Sequence, residues 1–194
     1  MLDRFLVLAA AHELEATICA TKIDLDPDGS ARQPFEVYER CGYRVIYASA
    51  RDGTGCDEIA SLISNEIVVL AGPSGVGKTS LVNKIDGGNL PVGEISEATG
   101  KGRHTTRGAR LIPVAGGYLA DTAGIRALAM AGVDRENLDH YFIEFAPYLG
   151  RCRFANCVHV GELGCAVEIA ITAGDIDPVR IASYRLLRER FDDD

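Results

Sequence analysis

The chain lacks several features that whole classes of proteins require. It contains no repeat and no low-complexity tract, and its net charge of −8 leaves no surplus of Lys and Arg. Strong nucleic-acid binders need clustered Lys and Arg for phosphate contacts, so the charge argues against that class. The apolar stretch from Phe5 to Ala11 is too short for a signal peptide or a membrane span, and only Arg4 before it is basic. We therefore expect a cytoplasmic protein without membrane contact, whose first helix is amphipathic and packs on a sheet.

Cysteine is present but its pattern does not indicate a disulfide framework. Six cysteines occur in 194 residues, and Cys19, Cys41 and Cys56 are scattered without partners at metal-binding spacing. With no secretory context, this usage indicates a reducing compartment. These three thiols are predicted to be buried or surface groups without a chemical role.

The strongest motif is a complete P-loop. It consists of Gly72, Pro73, Ser74, Gly75, Val76, Gly77, Lys78 and Thr79, and Ser80 completes the predicted nucleotide contacts. An apolar run at 67–71 precedes it, and a helix-like segment follows. Glycines let successive backbone N–H groups face phosphates, and the helix adds the positive end of its dipole. Lys78 would reach the β- and γ-phosphates, and the Thr79 hydroxyl would bind Mg²⁺.

Two downstream segments have the pattern of switch loops. Asp121 begins Asp-Thr-Ala-Gly after a strand-like segment at 117–120, so Asp121 would hold Mg²⁺ through water and the Gly124 N–H would sense the γ-phosphate. The basic segment 101–107 lies between this motif and the P-loop. Within it, Thr106 is predicted to supply a second Mg²⁺ hydroxyl, although a plain basic surface loop remains the alternative.

A guanine-reading segment is missing after Asp121, and a related one precedes the P-loop instead. Thr21, Lys22, Ile23 and Asp24 follow an apolar run, and Ser49 and Ala50 follow another. The Asp24 carboxylate would accept hydrogen bonds from guanine N1 and N2, which adenine cannot donate, and the Ala50 N–H would donate to guanine O6. Lys22 would lie along the base. This order is the usual GTPase order rotated along the chain, a circular permutation.

A second cluster lies near the C-terminus. Its members, Cys152, Cys157, His159 and Cys165, have the spacing C-x4-C-x-H-x5-C. Three thiolates and one imidazole make a closed tetrahedral Zn²⁺ site without an open position for water. The pattern therefore predicts structural zinc. The alternative is a group of reduced structural cysteines.

The permuted motifs and the zinc pattern together resemble the small ribosomal subunit biogenesis GTPase family, RsgA. The resemblance implies an α/β fold: a circularly permuted P-loop GTPase domain at 1–143 and a small helical zinc-binding domain at 144–194. Within the second domain, the residues themselves predict helices at 166–172 and 178–190. It also implies GTP and GDP as ligands, Mg²⁺ and Zn²⁺ as metals, and the small ribosomal subunit and its rRNA as partners. A monomer is expected. The OB-fold that precedes the GTPase domain in the family is missing from this sequence, which indicates a fragment or a truncated member.

The sequence departs from the expected pattern at two positions. Ile125 follows the Asp-Thr-Ala-Gly motif, where a Gln would orient the attacking water in Ras-like enzymes, so His104 is the candidate for that role. A surface histidine is an equal alternative. Thr21 replaces the family's Asn, so nucleotide affinity is expected to weaken more than guanine specificity.

The motifs predict GTP hydrolysis that is slow in the isolated chain. The resemblance implies that this hydrolysis serves late maturation of the small ribosomal subunit and is stimulated by the ribosomal particle. Two other functions stay open. One is a P-loop ATPase or kinase in which the Thr21 to Asp24 segment is accidental. The other is a nucleotide-gated binding module with little hydrolysis.

Overall fold

The structure is a computed structural model that describes residues 1–88, 111–120 and 132–190. The chain forms two compact units. The first contains Met1–Thr17, Pro34–Arg44 and Met130–Asp194, and the second contains Ile18–Gln33 and Val45–Ala129. This division groups residues by their contacts, and the predicted domains, 1–143 and 144–194, stay a prediction.

Helices and strands alternate along much of the described chain, as expected for an α/β protein. The helices are α1 (Leu2–Ala11), α2 (Glu36–Cys41), α3 (Cys56–Ile63), α4 (Lys78–Asp86), α5 (Ala166–Ala173) and α6 (Pro178–Arg190). The strands are β1 (Thr17–Thr21), β2 (Arg44–Ala48), β3 (Ile67–Val69), β4 (Leu111–Val114) and β5 (Gly117–Ala120). No helix among these described segments is both long and apolar enough to cross a membrane.

The strands of the second unit form two sheets. Strand β1 pairs with β2, and β5 lies between β3 and β4 in a three-stranded sheet. Strands β3 and β5 are parallel, with Val69 opposite Ala120. Because parallel neighbours end at the same edge of a sheet, the chain leaves β3 toward the P-loop and β5 toward residue 121 from one edge.

One face of the three-stranded sheet is buried by two helices. Residues in β4 alternate between exposed and buried, and Ile112 and Val114 point to the buried face. They pack in one cluster with Ile63 of α3 and Val82 of α4. A Cβ atom at Gly117 would lie 1.8 Å from the Ile63 carbonyl oxygen, so β5 approaches α3 at a distance that only glycine permits.

The core of the first unit is aromatic. Phe142 stacks on Phe145 with ring centroids 5.3 Å apart, and Tyr184 of α6 meets both rings edge-on at 5.2 to 5.4 Å. Val7 of α1 and Leu138 belong to the same cluster. The first helix therefore forms as predicted, and its Val7 packs against the C-terminal segment, a contact that the sequence did not predict.

A buried charge network lies beside this core. The Arg180 side chain is 1% exposed, and its Nε donates to the Glu144 carboxylate at 2.5 Å. Its NH1 donates to the Asp3 carboxylate, which also accepts from the Ser183 hydroxyl at 2.8 Å and from the Tyr38 hydroxyl at 3.1 Å. Burial of a charge is tolerated when it is paired and hydrogen-bonded. Burial alone would lower the pKa of Arg180. The hydrogen bond and the charge of Glu144 outweigh this effect, so the pKa lies above its ordinary value. The network joins the first and last helices of the described chain.

Candidate nucleotide and metal sites

The P-loop begins just beyond β3 and ends where α4 starts. Gly75 and Gly77 have φ angles of 76° and 108°, a region that side chains other than glycine rarely adopt. Gly77 is the N-terminal cap of α4, so Lys78, Thr79 and Ser80 form the first helical turn. The predicted strand, loop and helix are therefore present in this order. The first turn of α4 presents backbone N–H groups and the positive end of the helix dipole, the features that bind phosphate at a helix N-terminus.

The Lys78 ammonium is folded back onto the loop. Its Nζ donates to the carbonyl oxygens of Gly72 and Pro73, at 2.8 Å in both cases. These two carbonyl oxygens accept hydrogen bonds from the ammonium group in place of a phosphate. A phosphate oxygen, which carries charge, would accept a stronger hydrogen bond than either carbonyl. The geometry therefore leaves Lys78 able to exchange a backbone partner for a phosphate.

Two side chains of the predicted base-reading segment are hydrogen-bonded to the P-loop. The Thr21 hydroxyl donates to the Val76 carbonyl at 2.5 Å, and the Lys22 ammonium donates to the Gly75 carbonyl at 2.7 Å. Lys22 itself has a φ of 62°, at the turn that follows β1. Segments that lie more than fifty residues apart in sequence are thus brought together, as the permuted motif order requires.

Asp24 and Ser49 form the second half of this arrangement. The Ser49 hydroxyl donates to Asp24 Oδ1 at 2.8 Å, and the Ser49 side chain is completely buried. The backbone N–H groups of Arg51 and Asp52 donate to the same hydroxyl at 3.2 and 3.4 Å. The carboxylate is therefore held in place by the loop that contains Ala50, while Ile23 starts a short 3-10 turn that carries Asp24.

Arg51 is a neighbour of the site that the sequence reasoning missed. Its NH1 lies 3.8 Å from Asp24 Oδ2, although its side chain is 78% exposed. A basic residue directly after Ser49 and Ala50 was the available signal. Because the pair is solvent-exposed on the arginine side, its contribution to stability is small.

Four predicted residues lie outside the described part of the chain. They are His104, Thr106, Asp121 and Gly124. Their assignments to water positioning, Mg²⁺ binding and γ-phosphate sensing stay predictions.

The predicted zinc ligands converge in the first unit. The Cys152, Cys157 and Cys165 sulfurs and a His159 nitrogen all lie within 4.8 Å of one another. The His159 Nδ1 is 3.6, 3.6 and 3.2 Å from those three sulfurs, in the same order. All three thiols are free of disulfides. Three sulfurs and one imidazole nitrogen around a common point are the donor set of structural Zn²⁺.

Two thiols of the cluster favour their protonated form when no metal is bound. Burial, as the largest cause, raises the pKa of Cys157 to about 12, and it also raises the pKa of Cys165. A bound Zn²⁺ reverses this preference because it stabilises thiolates. The N–H of Ala166 at the start of α5 donates to Cys152 Sγ at 3.3 Å, so the cluster is tied to the first turn of that helix.

The second nitrogen of His159 faces a carboxylate. His159 Nε2 lies 3.2 Å from Asp139 Oδ2. Burial opposes ionisation of Asp139, but hydrogen bonds from His159 and His140 outweigh it and lower the pKa of the carboxyl group. Asp139 is 20 residues from His159 in sequence and belongs to no ligand pattern, so no motif indicates this contact.

Comparison with known proteins identifies relatives across most of the chain. The model of the RsgA GTPase family matches residues 1–131. The small ribosomal subunit biogenesis GTPase RsgA of Moorella thermoacetica is 45% identical over 186 residues, which cover 95% of this chain and 64% of that protein. The protein of the same name from Caldanaerobacter subterraneus is 41% identical, with 97% and 65% covered. The chain thus spans slightly less than two thirds of their length.

Two solved structures have the same fold over nearly the whole chain. YjeQ from Thermotoga maritima superposes with a TM-score of 0.79 at 34% identity, covering 97% of this chain and 64% of that one. YloQ, described as a circularly permuted GTPase, has a TM-score of 0.76 at 30% identity, covering 99% and 62%. The predicted α/β fold class and its permuted order are supported by this likeness.

Proposed function

The chain belongs to the RsgA GTPase family, and from this premise we propose that it binds GTP and hydrolyses it to GDP and phosphate. The observation that supports this most is the pair of hydrogen bonds from Thr21 and Lys22 to the P-loop. They join a base-reading segment to a phosphate-binding loop. A nucleotide that spans the two would meet specificity groups at one end and phosphate donors at the other.

Phosphate binding is assigned to the P-loop and the first turn of α4. Backbone N–H groups from Ser74 to Ser80 would surround the phosphates, and Lys78 would exchange its Gly72 and Pro73 carbonyls for phosphate oxygens. Because these partners are carbonyls of the same loop, the exchange needs only side-chain rotation. Thr79, at the second position of α4, would supply a hydroxyl to Mg²⁺.

Guanine selection is assigned to Asp24. Its Oδ1 accepts from Ser49, which leaves lone pairs on both oxygens for the N1 and N2 hydrogens of guanine. Ala50 would donate its N–H to O6. An adenine base in this position presents no matching donors and leaves a carboxylate unsatisfied, which disfavours ATP.

Hydrolysis is assigned to groups around the γ-phosphate. Mg²⁺ bound by Thr79, Thr106 and Asp121 would neutralise developing charge together with Lys78, while Gly124 would contact the γ-phosphate. His104 is the proposed water-positioning residue, since Ile125 offers no polar group. Because the chain has Ile125 where a water-orienting glutamine would stand, we expect slow turnover by the isolated chain.

Zinc binding is assigned to a helical domain at 144–194 through Cys152, Cys157, His159 and Cys165. The four-ligand set is closed, so Zn²⁺ would stabilise the fold and take no part in hydrolysis. The small size of this domain, with a limited core of its own, makes such a metal useful.

The family name supports a place in maturation of the small ribosomal subunit. We infer that the chain acts as a cytoplasmic monomer whose partners are that subunit and its rRNA. With a net charge of −8, the isolated chain is expected to bind RNA weakly, so recognition would depend on shape and on local basic groups.

Single-turnover GTP hydrolysis, with and without purified small ribosomal subunits, tests this proposal. We expect a slow rate alone and a large increase with small subunits, and no increase with large subunits, which serve as the control. A rate that small subunits leave unchanged would contradict stimulated hydrolysis. Tight GTP binding with no turnover under either condition would favour the nucleotide-gated module instead.

A further inference from the structure

We propose that Asp139 is a positioning residue for the metal cluster, which holds the His159 ring in the tautomer and orientation that metal binding needs. The inference rests on the zinc site proposed above. It concerns a residue outside the ligand set and outside the predicted domain of that site. Its basis is the position of the two ring nitrogens of His159.

The two ring nitrogens of His159 lie next to different groups. Nδ1 points to the three cysteine sulfurs at 3.2 to 3.6 Å, and Nε2 points to Asp139 Oδ2 at 3.2 Å. A neutral imidazole carries one proton, and an ionised carboxylate only accepts hydrogen bonds. The proton is therefore held on Nε2, and the Nδ1 lone pair is free to bind a cation. This carboxylate–histidine pair is the common outer support of histidine ligands.

Asp139 is itself held firmly. Its Oδ1 accepts from the His140 backbone N–H at 3.1 Å and lies 3.0 Å from His140 Nδ1, which leaves Oδ2 for His159. It lies in a short 3-10 helix, Leu138–Tyr141, whose Leu138 is completely buried, as is the adjacent Phe142. The carboxylate is thus anchored to the core of the first unit.

The His159 ring has little freedom of its own. It is 3% exposed and packs beside the rings of Phe145 and Tyr184, with centroids 6.2 and 6.4 Å away. The other nearby carboxylate, Glu162, accepts from the N–H groups of Val158 and Val160 at 2.8 Å and so braces the loop rather than the ring. Asp139 is therefore the group that determines which nitrogen of His159 carries the proton.

The test compares Asp139→Ala, Asp139→Asn and Glu136→Ala, a nearby exposed acidic residue, in the full chain. Zinc affinity is measured by competition with a coloured chelator, and the cobalt-substituted proteins are compared by absorption. We expect affinity to fall about 10- to 100-fold in Asp139→Ala. Asp139→Asn should recover part of this loss because its amide oxygen still accepts from Nε2–H. The control, Glu136→Ala, should retain the wild-type affinity.

The tautomer gives a readout that a merely structural role would not move. Long-range ¹H–¹⁵N correlation spectra of the zinc-loaded wild type should show His159 protonated at Nε2, with the metal on Nδ1, and Asp139→Asn should retain that form. Protonation at Nδ1 in the wild type would overturn the inference even if Asp139→Ala fails to fold. Equal zinc affinities of the folded Asp139 variants and the wild type would also overturn it. Absence of stoichiometric zinc in the wild type would instead reject the zinc site on which it rests.

Discussion

The nucleotide region around the P-loop and the first unit, which contains the cysteine–histidine cluster, stabilise polar and charged side chains in opposite ways. In the nucleotide region, the ammonium groups of Lys22 and Lys78 donate to backbone carbonyls of the P-loop. In the first unit, largely buried side chains pair with one another, as His159 does with Asp139 and Arg180 with Glu144. Carbonyl partners can be exchanged for a ligand at little cost, whereas a buried pair is part of the folded core.

This difference predicts where substitutions act. Removing a side chain that donates to a backbone carbonyl should cost the fold little, because water can replace the lost donor. Such a side chain therefore contributes mainly to ligand binding. A side chain that neutralises a buried partner contributes to folding, because its removal leaves a charge without compensation. Four experiments can break or sharpen the comparison.

Zinc removal should have the largest effect, and it should fall on the first unit. Structural Zn²⁺ contributes an apparent free energy of about 10–16 kcal/mol in zinc-finger peptides. Chelation is therefore expected to lower the thermal unfolding midpoint strongly and to disorder the segment around α5. Circular dichroism and thermal unfolding of the protein with and without chelator measure this.

The matched controls for zinc removal are two cysteine variants. Cys152→Ser should reproduce the loss, whereas Cys19→Ser, outside the cluster, should unfold like the wild type. Unfolding that is indifferent to both chelator and Cys152→Ser would show that the cluster is only a group of reduced thiols.

Arg180→Ala should produce the next largest loss of stability. It leaves the Asp3 and Glu144 carboxylates, which are 14% and 6% exposed, without their cation. Breaking a buried pair in this way costs about 3–5 kcal/mol. Urea unfolding at neutral pH measures the change. Combining Arg180→Met with Glu144→Gln and Asp3→Asn should recover part of it, since no buried charge then remains.

Arg185→Ala provides the control on the same helix. Arg185 pairs with Glu168, and both side chains are about one third exposed. Exposed pairs contribute roughly 0–1 kcal/mol. A loss for Arg180→Ala no larger than that for Arg185→Ala would contradict the view that the first unit depends on buried charge pairs.

Lys78→Ala should weaken GTP binding while leaving the fold intact. Hydrogen bonds to charged groups contribute about 1.5–3 kcal/mol each, so affinity should fall roughly 10- to 150-fold. Isothermal titration gives the affinity, and thermal unfolding without nucleotide checks the fold. Lys84→Ala, an exposed lysine on the same helix, should bind GTP normally. Wild-type affinity in Lys78→Ala would reject the phosphate role.

Thr21→Val should have the smallest effect. It removes the hydroxyl that donates to Val76 but keeps the shape of the side chain. Loss of one neutral hydrogen bond costs about 1 kcal/mol, or roughly fivefold in GTP affinity. Thr21→Ser retains the hydroxyl and serves as the control, and Thr21→Asn restores the family residue and should bind at least as tightly as the wild type. Equal affinities for all four proteins would show that the Thr21 contact does not brace the P-loop for binding.

Local patterns in the sequence predicted the parts of the molecule that depend on near neighbours. The helices at 166–172 and 178–190 agree with α5 and α6, and the P-loop lies between β3 and α4 as expected. The four predicted zinc ligands converge, and all of them lie within a stretch of 14 residues. Turn glycines, apolar runs and ligand spacing are sufficient for these features.

Contacts between distant residues could not be read from those patterns. Asp3 and Arg180 are 177 residues apart, and Asp139 and His159 are 20 apart, with no shared motif in either pair. Val7 packs with Leu138, whereas its apolar run predicted an amphipathic helix that packs on a sheet. Such pairings depend on how whole segments pack, and an acidic residue in sequence does not indicate which cation or imidazole it will meet.

Equilibrium binding of GTP, GDP, ATP and xanthosine triphosphate, in Mg²⁺, to the zinc-loaded wild type and to Asp24→Asn tests the central claim most directly. The wild type should prefer GTP over ATP by on the order of a hundredfold, because adenine cannot donate to the Asp24 carboxylate. Asp24→Asn should weaken GTP and favour the xanthine nucleotide, whose extra carbonyl accepts from the new amide. Equal binding of ATP and GTP, or a nucleotide preference that Asp24→Asn leaves unchanged, would contradict the guanine-reading role and with it the permuted GTPase site.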